Sequence, residues 1–346
     1  MKKFDFCVGN PAYQESQEST SDKPVYNDFL DEAYKIADKV EMITPARFLF
    51  NAGKTPKAWN KKMLSDEHLK ILLYERDSSK VFRNTSINGG VVITYRDSLK
   101  RYDAITTFIQ FNELNQIINK IKAKKTESLS SICYSSEICS LTDKLHEDYP
   151  DAEKQLSEGH KYSVVTNIFD KLQNVFIETK DNNSSYSRVL GRANNKRAYR
   201  YIKNEYFNGA PNHSFYKVFI PKSDGAAGTV GKPIPARVSG TPIIAYPGDG
   251  HTQTFMSIGC FKTFDEAENL FKYIKTKFAR CLLGSLKVTQ HNPPETWKYV
   301  PIQDFTPNSD IDWSKSIPEI DKQLYKKYDL SPEEMNFIET HVKEME

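Results

Sequence analysis

Phe4-Asp5-Phe6-Cys7-Val8-Gly9-Asn10-Pro11-Ala12-Tyr13 is the stretch whose reading decides the fold. A short apolar run predicts a buried-type strand, and Asn-Pro stops it. The Asn10 side-chain carbonyl and the neighbouring backbone carbonyl can each accept one hydrogen from an exocyclic amine. Pro11 fixes the turn and has no N–H to compete. Tyr13 offers a flat face on which a planar base can lie. Taken alone, these four residues are equally compatible with a strand running into an ordinary proline turn.

Outward from this stretch, strand and helix signals alternate, which predicts a parallel α/β sheet. Residues 26–37 place Phe29, Leu30, Ala33, Tyr34 and Ala37 at helical spacing. A second strand is expected over Val40–Thr44, stopped by Pro45, then a helix over Lys57–Leu64 and a third strand over His68–Tyr74. Asn88-Gly89-Gly90 opens a last run, Val91–Tyr95, and the loop-like connection before it predicts an antiparallel hairpin at the sheet edge. Residues 14–24 are polar and compatible with either a lid over a ligand or a solvated loop.

Beyond about Lys100 the texture changes. A helix is expected over Asn112–Ile121, followed by a Lys-rich linker. Residues 131–250 are rich in Tyr, Ser, Asn, Gly and Pro. One long helix is expected over Thr263–Leu283, and two amphipathic helices over Glu319–Tyr328 and Pro332–Val342. The expected division is a first domain at 1–100, a helix and linker at 101–125, and a second domain at 126–346.

Read in order, Asn10-Pro11-Ala12-Tyr13, Ile43-Thr44-Pro45-Ala46-Arg47-Phe48-Leu49 and Glu75–Phe82 leading to Gly89–Tyr95 resemble the second half of an adenine-specific DNA methyltransferase of restriction-modification systems. Phe219–Ala226, Thr276-Lys277-Phe278 and Asp310–Tyr328 are similar to the target-recognition region of the type II enzymes. The resemblance implies a partial Rossmann-like sheet followed by an α+β recognition domain. It implies a flipped adenine held by Asn10, Pro11 and Tyr13 as catalytic residues, with Gly9 and Phe82 completing the base pocket. The implied activity is site-specific adenine-N6 methylation of double-stranded DNA, with S-adenosylmethionine as donor. A DNA-binding specificity module without catalysis is the alternative.

Two departures qualify the resemblance. Ala12 stands where the family has a second proline, which leaves both proposed acceptors in place. The Gly-rich donor loop expected between a strand and a helix is missing. Gly225-Ala226-Ala227-Gly228 and Gly231 are followed by Lys232-Pro233 rather than by a helix, and read as a loop. With its companions missing, the Phe4–Val8 strand is expected to have one unpaired edge. A partner protein, or an upstream segment carrying the donor site, is therefore expected; a permuted order lacks a candidate donor loop.

Of the 346 residues, 38% are hydrophobic and 27% charged, the balance of a soluble protein. No apolar stretch approaches the length of a membrane span, and the first residues lack the apolar core of a signal peptide, so a cytoplasmic location is expected. Five scattered cysteines without a CxxC pair suggest neither zinc nor disulfides, and no metal is expected. A net charge of +3 is uninformative, but its distribution is not. Tyr186–Lys203 carries Arg188, Arg192, Lys196, Arg197, Arg200 and Lys203 without one acid, interleaved with Tyr186, Tyr199 and Tyr201. Given the resemblance, Arg188, Arg192, Lys196, Arg197, Arg200 and Lys222 are the expected DNA contacts, with Lys217 and Lys232 as weaker ones. His291-Asn292-Pro293-Pro294 repeats the Asn-Pro string, but no strand precedes it, and it reads as a loop. Pro150-Asp151 with Glu153-Lys154 is too tightly spaced for a nuclease site.

Overall fold

β1 (Phe4–Gly9) runs parallel to β2 (Ala37–Pro45), in register from Phe4 opposite Ala37 to Gly9 opposite Met42. Parallel neighbours need a crossover, and α1 (Tyr26–Ile36) supplies it, burying Tyr26, Leu30 and Ala33. The helix ends where Ala37 turns extended, at φ −129° and ψ 149°. After α2 (Lys57–Leu64) come β3 (Leu69–Glu75) and β4 (Val91–Asp97), and β4 inserts between β2 and β3, antiparallel to both. The sheet order is thus β1-β2-β4-β3. The expected hairpin edge is present. The rest of the sheet is less parallel than expected: β1 with β2 is the one parallel pairing of three, the 76–90 connection holds a single turn of 3₁₀ helix that returns the chain directly, and β4 also pairs antiparallel with β2.

The structure is a computed structural model that describes residues 4–15, 22–181, 184–223, 230–231, 233–287 and 289–345. Residues 1–115 and 116–346 form separate compact units. In the first, β1 departs from the expected buried strand. Phe4, Phe6 and Val8 are 56%, 48% and 68% exposed, and among the described residues β2 is its only neighbour. Sequence hydrophobicity alone could not distinguish a buried strand from one whose covering is elsewhere.

α3 (Asn112–Ala123) leads into the second unit. Its organising element is the hairpin of β5 (Tyr186–Ala193) and β6 (Lys196–Lys203), extended by β9 (Asp249–His251) parallel to β5. Asn194 and Asn195 both take positive φ, 49° and 60°, which lets a two-residue turn match the strand twist. One hairpin face sends Val189 and Ile202 into a cluster with Phe169, Phe176 and Phe207. The other sends Leu190 and Tyr199 against Phe219, Ala245 and Phe255. Those residues belong to a second sheet, in which β7 (Tyr216–Pro221) lies between β8 (Ile243–Ala245) and β10 (Phe255–Phe261).

The expected long helix is two, α4 (Phe264–Lys275) and α5 (Lys277–Gly284), broken at Thr276 with φ −60° and ψ 149°. Thr276 caps α5 by accepting from Ala279, and the buried Asp321 carboxylate accepts from the backbone N–H groups of Lys277 and Phe278, both at 2.9 Å. Asp321 lies on α6 (Ile317–Lys327), which is followed by α7 (Pro332–His341); both helices start with a capping box.

Candidate active site and basic hairpin

Because β1 and β2 are parallel, their C-terminal ends emerge side by side. Asn10 and Pro11 leave β1 where Pro45 and Arg47 leave β2, and a cavity of about 620 Å³ opens between them. Tyr13, Tyr26, Lys54, Thr55 and Ile87 also line it. Asn10 is exposed, so its amide is open to solvent and to a ligand. Gly9 sits under a close approach: a Cβ there would lie 3.0 Å from Met42 Sδ.

Tyr13 is fixed through its backbone, whose carbonyl accepts from the Val25 N–H at 3.2 Å. This bond closes the base of the 14–24 loop, where Gln14-Glu15 pairs with Lys23-Pro24. Residues 16–21, the middle of the expected lid, lie outside the described residues. The Tyr13 ring meets Phe82 edge-on. Its hydroxyl is buried without a hydrogen-bond partner among the described residues, and burial raises its pKa. Thus four of the five expected pocket residues line or flank one space with Phe82 completing an aromatic corner, while Gly9 lies one residue before it.

Two further features of the cavity escaped the sequence reading. Arg47 donates from Nε to the Asn88 carbonyl at 2.6 Å. Its stem is clasped by Gly53 and Gly89, at φ 85° and 93°; a Cβ on either would fall 3.1 and 2.8 Å from the Arg47 side chain. Tyr26 bonds to the Thr55 side chain and sits near Arg47, yet burial dominates and pushes its pKa up to about 12. Thr55 in turn donates to Asn60 at 2.7 Å, and Asn60 donates to Asn51 at 3.1 Å. This chain of bonds holds Thr55, which lines the cavity.

The cavity presents acceptors, an aromatic corner and a guanidinium. The glycines of the first unit stand at the end of β1 (Gly9), in the loop before α2 (Gly53) and before β4 (Gly89, Gly90), and none joins a strand to a helix N-terminus. Among the described residues no group of three His, Cys, Asp or Glu side chains could hold a metal, and no helix is long and apolar enough to cross a membrane.

In the second unit the basic stretch divides by strand register. Arg188, Arg192 and Arg197 share one face of the hairpin, while Lys196 and Arg200 lie on the other. Arg188 is tied bidentately to buried Asp249 at 2.8 and 2.6 Å and stacks on Tyr199 at 4.5 Å. Arg200 bonds to Glu178 at 2.6 Å, and Lys222 to Glu137 at 3.1 Å. Arg192 donates to the carbonyl of Asn195 in its own turn. Arg192, Lys196 and Arg197 are exposed. Lys217 corrects an expectation: it is 1% exposed and donates to the carbonyls of His213, Phe215 and Tyr246 at 3.0 to 3.1 Å. Burial lowers its pKa to about 8, and it is a strut of the loops rather than a surface contact. Asn292 is likewise structural, buried and accepting from Thr296 at 3.1 Å. Lys232 and residues 225–228 lie outside the described residues.

Among curated proteins none matches the chain. Among solved structures it is similar to the type IIG restriction endonuclease BpuSI, at 11% identity and a TM-score of 0.33, with 92% of this chain covered. The chain covers 48% of that structure, about half its length. Over residues 1–82, which hold Asn10 to Tyr13, Arg47 and Phe82, the chain is similar to the family described as Eco57I restriction-modification methylase.

Proposed function

We propose that the first unit is the base-holding half of a DNA adenine-N6 methyltransferase and that the second unit contacts duplex DNA. The observation that carries this reading is the convergence of Asn10, Pro11 and Tyr13 on one cavity at the ends of two parallel strands, with Phe82 against Tyr13. A flipped adenine fits this chemistry. Its exocyclic amine donates to the Asn10 side-chain and backbone carbonyls, and its face lies on Tyr13. Two acceptors orient the amine so that its lone pair points out of the base plane toward an incoming methyl group. Positioning of this kind is the main contribution asked of these residues.

The methyl donor would be S-adenosylmethionine, held by chain that pairs with the open edge of β1. Exposed Phe4, Phe6 and Val8 support a partner or further segment there. The same open edge favours a second reading, in which the chain acts as a DNA-binding specificity subunit and leaves chemistry to its partner.

The test is transfer of labelled methyl from S-adenosylmethionine to duplex DNA, by the chain alone and with the product of its neighbouring reading frame. Loss of transfer on Asn10→Ala, with DNA binding retained, supports the methyltransferase reading. Undiminished transfer by Asn10→Ala refutes the assignment of the pocket. DNA binding with no transfer under either condition favours the specificity subunit.

A further inference from the structure

Arg47 lines the cavity, yet a base held by Asn10 and Tyr13 gives it no task. Its position is built locally. β2 ends at Pro45, and the chain turns at once through a 3₁₀ helix, Ala46–Phe50. The Ala46 N–H donates to the Gly90 carbonyl and the Ala52 N–H to the Arg47 carbonyl, both at 3.0 Å. Asn51 reverses the chain at φ 54°, a conformation asparagine adopts more readily than most residues. The reversal brings Gly53 back against the Arg47 stem and sets Lys54 on the same cavity. Among the described residues lining the cavity, Arg47 and Lys54 are the cations and Asp22 is the one acid.

Neither cation is neutralised by its own hydrogen bond. Arg47 gives Nε to the Asn88 carbonyl at 2.6 Å, and Lys54 gives Nζ to the Asp22 carbonyl at 3.3 Å. Both acceptors are main-chain oxygens and carry no formal charge. The Asp22 carboxylate accepts from the Gln14 side-chain amide. Holding Nε uses one of the guanidinium N–H groups and leaves those on both Nη atoms for an acceptor in the cavity.

Adenine does not suit that fork. Each amine-bearing edge of adenine sets an N6–H donor beside a ring-nitrogen acceptor, whereas a guanidinium offers donors alone. A phosphate presents acceptors alone and matches the fork bidentately. The cavity volume of about 620 Å³ falls in the range of sites that enclose a whole small molecule, room for a nucleotide and not only its base.

We propose that Arg47 and Lys54 hold a DNA backbone phosphate flanking the base that enters the cavity. This rests on the base-pocket reading of the first unit and adds the other end of the nucleotide to it. Asn10 and Tyr13 take the base, and Arg47 and Lys54 take the phosphate. Extruding a base swings its sugar about the backbone, so a flanking phosphate moves toward the pocket with it. Cations already on the cavity offset part of the cost of unstacking, whatever the neighbouring sequence.

The experiment measures binding of the full chain to a duplex carrying one unpaired 2-aminopurine, read by its fluorescence. The phosphate on either side of that base is native or a neutral methylphosphonate, and the protein is native, Arg47→Gln or Lys54→Gln. For the native protein, one of the two neutral phosphates should weaken binding roughly 10-fold or more. Arg47→Gln should weaken binding to the charged duplex similarly, and the two changes together should cost no more than either alone. Thermal unfolding of each variant checks that the fold is kept. The exposed Lys54→Gln carries the same comparison if Arg47→Gln unfolds. Full affinity of the native protein for both neutral-phosphate duplexes overturns the phosphate site and leaves the base pocket intact. So does a loss in the folded variants that simply adds to the loss from either methylphosphonate. Unchanged binding and fluorescence in Tyr13→Ala shows that the base does not enter the cavity, which overturns the pocket reading and the phosphate site with it.

Discussion

Tyr13 and Phe82 meet edge-on, with ring centroids 6.4 Å apart and planes inclined at 69°. Edge-on contact braces the Tyr13 ring while leaving a face free, the geometry a stacking platform needs. Stacking of a base on an aromatic ring contributes about 1–3 kcal/mol. Tyr13→Ala should therefore weaken binding of a duplex carrying an unpaired target base by roughly 10- to 100-fold. Tyr13→Phe should bind nearly as well as the native protein, since among the described residues its hydroxyl has no hydrogen-bond partner to lose. Fluorescence of 2-aminopurine at the target position measures both.

The glycines behind Arg47 should be unequal. A Cβ on Gly90 would fall 2.4 Å from the Glu75 carbonyl oxygen and 2.9 Å from the Arg76 Cα, which are backbone atoms that cannot step aside. On Gly89 it would meet only the flexible Arg47 stem. Both residues have positive φ, 93° and 80° for Gly89 and Gly90, so both alanine variants carry backbone strain of about 1 kcal/mol or more. Gly90→Ala should lose clearly more stability in denaturant unfolding. Gly89→Ala should remain folded and raise the KM for DNA by displacing Arg47.

Arg188 and Arg192 lie on the same hairpin face and should respond differently. Arg188 closes a bidentate pair with Asp249, which is 3% exposed, so Asp249→Asn or Arg188→Gln should cost about 2–4 kcal/mol in unfolding free energy. Arg192 is exposed and, among the described residues, bonds within its own turn. Arg192→Gln should stay within about 0.5 kcal/mol of the native stability. Equal losses for the two arginines in chemical denaturation would contradict this assignment.

Asp321 predicts a pH dependence. Burial outweighs its two backbone hydrogen bonds and raises its pKa from 3.8 to about 7. The folded state then binds a proton that the unfolded chain releases, so the contribution of this group falls as pH rises from about 4 to 7. The slope reaches at most about 1.4 kcal/mol per pH unit. Unfolding midpoints of the native protein should drop across this window relative to Asp321→Asn, in which the dependence is abolished.

What could be read from the chain follows the range of the interactions involved. The strand before Asn10 was legible because an apolar run and a proline are neighbours in sequence. The hairpin over 186–203 was signalled by Asn194-Asn195, yet its charges drew the reading toward a basic surface, and only register shows which arginines share a face. The break at Thr276 carries no glycine or proline; its cause is Asp321, far along the chain. Arg47 was passed over for a similar reason, since Gly53 and Gly89 become its neighbours only in the folded unit. The antiparallel pairing of β2 with β4 does not follow from periodicity, because β4 inserts between two earlier strands.

β1 leads directly into Asn10 and has one neighbouring strand among the described residues. Its backbone amides are therefore protected from exchange with solvent on one side only, and an edge strand of this kind opens readily. The residue that would orient the base thus directly follows an edge strand of its sheet. Deuterium uptake along 4–9 should be fast in the chain alone and should slow when a strand is laid against it, before any methyl group is transferred. Order at the pocket and closure of the sheet are then a single event, and the exchange rate of six residues reports both.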